Sequence, residues 1–227
     1  MIRTVFFDLD DTLFDFHAAE HVAIRDTLSH VGIEPSEENA ALYSKINRSC
    51  WQRLERGEWE RNEVLFRRFE LFFEALGVTG NPHETQRYYE DRLSREVSYI
   101  DGATELLEGL KGKYRLYITS NGTALVQDRR IDASGIAEYF DGIFISERVG
   151  AHKPSPEFFD RIFSAVGGQR QETVIIGDSL TSDILGGLNA GIHTVYYNPR
   201  ARENNTGIIP EYEIMALWEI PSLLEKI

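Results

Sequence analysis

Short apolar runs recur along this chain, each followed by polar or acidic residues. They lie at 4–7 (TVFF), 114–119 (YRLYIT), 143–146 (IFIS), 173–176 (TVII) and 194–197 (TVYY), and are rich in β-branched and aromatic side chains. Continuous rather than alternating apolar runs suit strands buried on both faces, as in a parallel sheet. Between them, helical spacing appears at 103–111 (ATELLEGLK), 155–166 (SPEFFDRIFSAV) and 183–190 (DILGGLNA). Strands alternating with helices predict a doubly wound, Rossmann-like α/β domain.

Residues 16–98 carry a different pattern. Tyr43, Ile46, Cys50 and Leu54 recur at helical spacing, as do Leu65, Phe69, Phe72 and Leu76, then Tyr89, Leu93 and Val97. Breaks at Gly32–Pro35, Gly57 and Gly77–Pro82 divide the stretch into about four helices with no strand. The expected organisation is an α/β core of residues 1–15 and 99–227, interrupted after its first strand by an all-α cap domain of residues 16–98. The tail opens as a polar loop around Asn204, Asn205 and Gly207, then ends in a short strand (EYEI) and a helix (PSLLEKI).

Composition narrows the function. The chain has 227 residues and a formal net charge of −13, which argues against nucleic acid as partner. An acidic protein binds a small anion only where a metal or placed cations reverse the local field. The single cysteine, Cys50, excludes an internal disulfide and reads as a packed helix residue. The opening MIRTVFFDLDD lacks the apolar run of a signal peptide, and no stretch approaches a membrane span. The expected setting is cytoplasmic, with no membrane partner.

Four polar clusters stand at strand ends or helix starts, where α/β sheets place their ligands. They are DLDDT at 8–12, Ser120 with Asn121 and Gly122, Lys153 within HKPSPEFF, and GDSLTSD at 177–183. Each has an ordinary reading alone: an Asp N-cap, a Ser turn, a solvated Lys. Together, four carboxylates (Asp8, Asp10, Asp178, Asp183) facing one ammonium (Lys153) leave uncompensated charge, and without a cation several would have to protonate. A divalent, oxygen-coordinated ion removes that conflict.

In this order the clusters resemble the motifs of the haloacid dehalogenase superfamily: DxDxT, then Ser or Thr, then Lys, then GDxxxxD. The resemblance spans the chain from Met1 to the tail. It implies an Mg²⁺-dependent phosphatase with Asp8 as nucleophile, forming an aspartyl-phosphate, and Asp10 as acid–base group. Asp8 and Asp178 would bind the metal through side chains and Asp10 through its backbone carbonyl, while Asp183 would hold a metal-bound water or the motif loop. Lys153 and Ser120 would meet phosphate oxygens, with Thr12 and Asn121 beside the substrate. The presence of Asp10 matters, since the dehalogenases of this superfamily lack the second acid.

Receiver domains of signalling proteins also combine an Asp cluster, a Ser or Thr and a Lys, but their acceptor Asp lies on a middle strand. Phosphosugar mutases share the core motifs and differ in the cap. FFDLDDTLFDF (6–16), Asn47 with Trp51, ISERVGAHKP (145–154) and GDSLTSDILGGLNAG (177–191) resemble the bacterial noncanonical pyrimidine 5′-nucleotidases. That implies a nucleoside monophosphate as substrate, with phosphoglycolate and sugar phosphates as the other candidates. The insert leaves the α/β domain just after the nucleophile strand, so it is expected to act as a mobile lid that selects substrate. Within it, Trp51 and Arg68 are candidate nucleoside contacts, an indole and a guanidinium both stacking on a flat base. His17 and His21 share a helix face at a spacing that could hold zinc, but a solvated face is the simpler reading.

Overall fold

The computed structural model describes residues 1–227, which divide into two units: Met1–Asp15 with Ser98–Ile227, and Phe16–Val97. No helix is long and apolar enough to cross a membrane.

The first unit is built on six parallel strands: β1 (Thr4–Phe7), β2 (Arg115–Ser120), β3 (Gly142–Ile145), β4 (Thr173–Gly177), β5 (His193–Tyr197) and β6 (Tyr212–Ile214). Their order across the sheet is β3-β2-β1-β4-β5-β6. The apolar runs become strands because they are covered on both faces: every residue of β1 and β4 is buried. Phe6 pairs in register with Tyr117 on one side and Ile175 on the other, and its ring packs against Tyr117, Phe159 and Phe163. Burying side chains of this size contributes about 1.5–3 kcal/mol each.

Connecting helices are α5 (Ala103–Leu110), α6 (Ala124–Ser134), α7 (Ser146–Val149), α8 (Pro156–Val166), α9 (Leu185–Ala190) and α10 (Ile220–Leu224). Ser155 caps α8 by accepting from the Glu157 N–H, with Pro156 as its first residue. The chain winds outward from β1 through β2 to β3, then returns to β4 on the other side of β1. The strand order thus reverses between β1 and β4, and such a switch point leaves a crevice at the carboxyl ends of the two strands.

Some elements depart from the expected ones. Helices α6 and α7 fall where the sequence pattern suggests none. The helix expected from Asp183 is preceded by a wide π-type turn, Leu180–Ile184, capped by the Ser179 hydroxyl accepting from the Ser182 N–H.

The second unit is four helices: α1 (Phe16–His30), α2 (Glu37–Glu55), α3 (Arg61–Leu76) and α4 (Pro82–Leu93). Its breaks are chemically explicit. Ser36 caps α2, Glu60 and Glu63 form a reciprocal capping box on α3, and Asn81 caps α4 ahead of Pro82. The interior holds Tyr43, Phe69, Phe72 and Tyr89, with the Tyr43 ring 5.1 Å from Phe69 and 5.3 Å from Tyr89. His21 pairs with Glu37 at 2.8 Å on an exposed face.

Candidate active site

The site begins where β1 ends. Directly after Phe7, Asp8 hydrogen-bonds through its N–H to Ile176 O at 2.9 Å, which locks it to β4. The following residues curl into a tight loop in which Leu13 and Phe14 both return their N–H groups to Leu9 O. Asp11 takes a left-handed φ of 59° at the bend, a conformation that Asp tolerates better than most residues.

Lys153 enters from the loop before α8 and is only 1% exposed. Its Nζ donates to Asp8 Oδ1, Asp183 Oδ1 and Thr119 O, each at 2.7 Å. All three ammonium protons have partners, so a phosphate oxygen would have to take the place of one of them. Burial works against the charged ammonium, but Asp183 and Asp8 outweigh it and hold the pKa above the ordinary lysine value. Asp183 is fixed in turn by the Ser179 N–H, which donates to its Oδ2 at 3.1 Å. A Cβ on residue 177 would overlap the Asp183 carboxyl, so glycine there makes room for it.

The Asp8, Asp178 and Asp183 carboxylates offer oxygens that all lie within 4.8 Å of one another. Burial pushes the Asp8 carboxyl up to about 8, Lys153 opposing and Asp183 and Asp10 adding to the rise. Burial also pushes Asp178 well above the carboxylate range, with Asp11, Asp8 and Asp183 contributing. The three clustered carboxylates carry more negative charge than one shared ammonium balances, and their oxygens form a donor set that suits a hard divalent ion such as Mg²⁺. The Asp10 carboxylate lies outside this trio.

Ser120 ends β2, and its Oγ accepts from the Gly122 N–H at 3.0 Å and from Gln127 Nε2 at 2.9 Å. The Asp10 side chain turns toward α6: its Oδ2 accepts from Gln127 Nε2 at 2.6 Å and its Oδ1 from Arg130 Nη1 at 2.5 Å.

Residues 2–191 match the haloacid dehalogenase-like hydrolase family. The chain belongs to that family. It is 35% identical to the pyrimidine 5′-nucleotidase PynA of Streptococcus pneumoniae, over 99% of this chain and 95% of that one. It is 30% identical to the pyrimidine 5′-nucleotidase YjjG of Escherichia coli, over 98% and 97% of the two chains. Among solved structures, the HAD-hydrolase YfnB of Bacillus subtilis, bound to magnesium, superposes with a TM-score of 0.93 at 37% identity, covering 98% of both chains.

Several residues expected at the substrate of this hydrolase are engaged by the protein itself. Thr12 is fully buried, and its hydroxyl points at Asp8 Oδ2 at 3.4 Å, so it orients the carboxylate and does not face a substrate. Asn121 is committed to the Lys153 backbone: its Nδ2 donates to Lys153 O, and its Oδ1 accepts from the Lys153 N–H, both at 2.9 Å. It therefore positions the lysine. Arg68 is 3% exposed and donates to Gln86 Oε1 and Asn47 Oδ1, while Asn47 donates to Glu20. Its guanidinium ties the helices α1 to α4 together inside their own unit and presents no face to a base. Trp51 is half-buried against Cys50, Leu54 and Val64, with the Arg61 guanidinium 5.8 Å from its ring.

The sequence reading of this hydrolase missed Gln127 and Arg130. Their only sequence signal is a spacing of three, which puts two long polar side chains on one face of a helix.

Proposed function

We infer that this hydrolase is an Mg²⁺-dependent phosphomonoesterase acting through an aspartyl-phosphate on Asp8, with pyrimidine nucleoside 5′-monophosphates as its substrates. The observation that carries the reading is the meeting of Lys153 with Asp8 and Asp183 at the β1/β4 switch point, with a second acid, Asp10, two residues beyond the first.

A bound Mg²⁺, held by Asp8, Asp178, Asp183 and the Asp10 backbone carbonyl, would supply positive charge against the phosphoryl oxygens. Lys153 and Thr12 fix the direction of the two Asp8 oxygens. One of them attacks phosphorus as the ester P–O bond breaks, with the departing oxygen in line. Asp10 gives its proton to the leaving alkoxide, and the Ser120 hydroxyl and Lys153 steady the equatorial oxygens. Asp10 then takes a proton from water, whose oxygen attacks the same phosphorus. Phosphate leaves and the Asp8 carboxylate is restored.

The nucleotide preference is supported by the names of the pneumococcal and Escherichia coli relatives. Selection is assigned to the helical unit, whose two connections are tied together: the Asp15 N–H donates to Ser98 O at 2.8 Å, and Ile100 donates to Leu13 O at 2.9 Å. A panel of phosphate esters with Mg²⁺, scored by kcat/KM, tests the assignment. Uridine or thymidine monophosphate should lead, and Trp51→Ala should reduce those values more than that for p-nitrophenyl phosphate. Phosphoglycolate favoured tenfold over every nucleotide would reject the nucleotidase reading and leave the phosphatase reading standing.

A further inference from the structure

Helix α6 buries two long polar side chains on its inner face, Gln127 at 1% and Arg130 at 0% exposure. Groups of this kind are costly inside a protein unless hydrogen bonds offset their desolvation. Here those bonds converge. Arg130 Nη1 donates to Asp10 Oδ1 and, at 3.0 Å, to Gln127 Oε1. That bond fixes which way the Gln127 amide faces, because the reverse orientation would set an NH₂ against a guanidinium and a carbonyl against a carboxylate. Gln127 Nε2 must then point at Asp10 Oδ2 and Ser120 Oγ, as it does. The Arg130 guanidinium also lies over the Phe14 ring, 5.2 Å from its centre.

We propose that Arg130 and Gln127 are positioning residues that hold the Asp10 carboxylate and fix the donor direction of the Ser120 hydroxyl. The inference rests on the acid–base reading of Asp10 given above. Both Asp10 oxygens are gripped from the α6 side, which removes the free rotation an aspartate in a loop would otherwise have. Ser120 Oγ has both acceptor positions filled, by Gly122 N–H and by Gln127 Nε2, so its own proton is the part left to offer. A hydroxyl constrained in this way donates, which suits an anionic phosphate oxygen. One amide thus sets the group that handles the leaving-group proton and the group that meets the phosphate. Gly122 belongs to the same device: a Cβ there would overlap the Gln127 amide.

Arg130→Met, Arg130→Lys and Asp10→Asn, compared with wild type on uridine monophosphate and on p-nitrophenyl phosphate, separate positioning from support of the fold. The alkoxide of the nucleotide leaves badly without a proton, whereas nitrophenolate does not need one. Arg130→Met should lower kcat for the nucleotide roughly a hundredfold, leave KM near its wild-type value, and reduce the pre-steady-state release of nitrophenolate only a few-fold. Arg130→Lys should recover part of the nucleotide rate. Should Arg130→Met fail to fold, Gly122→Ala displaces the Gln127 amide without stranding a buried charge and should give the same leaving-group signature. Equal losses on both esters in the folded variants, with Asp10→Asn still discriminating between them, would overturn the positioning role alone. No discrimination by Asp10→Asn would overturn the acid–base reading and this inference with it.

Discussion

The ammonium of Lys153 lies 2.7 Å from Oδ1 of Asp8, although 145 residues separate them in the chain. Strand ends bring them together: Asp8 follows β1, while Lys153 is held through its backbone by Asn121, just beyond β2. The pair is buried, and Lys153 divides its charge between Asp8 and Asp183. Buried ion pairs contribute little net stability beside a hydrophobic alternative. The proposed chemistry would account for their retention here: a carboxylate held by one cation and crowded by two acids would accept the phosphoryl group.

Asp8→Asn should abolish turnover, with kcat down on the order of 10³-fold or more, while the far-UV circular dichroism stays that of the wild type. The fold should survive because Lys153 keeps its bonds to Asp183 Oδ1 and Thr119 O. A variant retaining a tenth of wild-type kcat, with deamidation excluded by mass spectrometry, would remove Asp8 from the nucleophile's role.

Chelation should silence the enzyme, and added Mg²⁺ should restore it where Ca²⁺ does not. The Asp8, Asp178 and Asp183 oxygens are close enough to share one ion, and the larger, looser coordination of Ca²⁺ misplaces a nucleophile that must attack in line. Steady-state assays after exhaustive dialysis against EDTA check this. Full activity in the chelator would contradict it.

Glu20, in the helical unit, gives a pH signature independent of the active site. Burial raises its pKa, opposed by hydrogen bonds from Ser44 and Asn47 and by the charges of His17 and Arg68. The folded carboxyl therefore keeps its proton to higher pH than the unfolded one. Its contribution to stability is full below the ordinary glutamate pKa and is lost as pH rises through the raised value. The stability of wild type minus that of Glu20→Gln should fall as pH increases from the acid range toward neutrality. Chemical denaturation of both proteins across that range checks it, and a difference that stays flat or rises would be contrary.

The sheet was legible because its strands are apolar without interruption: the runs at 4–7, 173–176 and 194–197 became β1, β4 and β5 with at most one residue added at an end. The four helices of the second unit were legible from Gly and Pro breaks and from heptad-like apolar spacing. Helix α6 was not. In its sequence, ALVQDRRIDAS, only Val126 and Ile131 are buried apolar residues, and the other two buried positions are Gln127 and Arg130, which hydropathy counts as solvent-facing. The same inversion hid Arg68, a guanidinium in a helical pattern that proved to be interior. Periodicity reads what is greasy, so polar groups buried for a purpose register as surface. The motif residues were readable because each stands at a strand end or in the turn that leads into a helix. Which of them face outward was not, since that depends on partners such as Asn121 and Gln127 that meet them only in three dimensions.

The covalent route is tested most directly by the stereochemical course at phosphorus, followed with a chiral, oxygen-isotope-labelled phosphorothioate ester. Attack by Asp8 followed by attack of water inverts the centre twice, so the account predicts net retention. Net inversion would mean that water displaces the leaving group in a single step, and no aspartyl-phosphate on Asp8 would lie on the path.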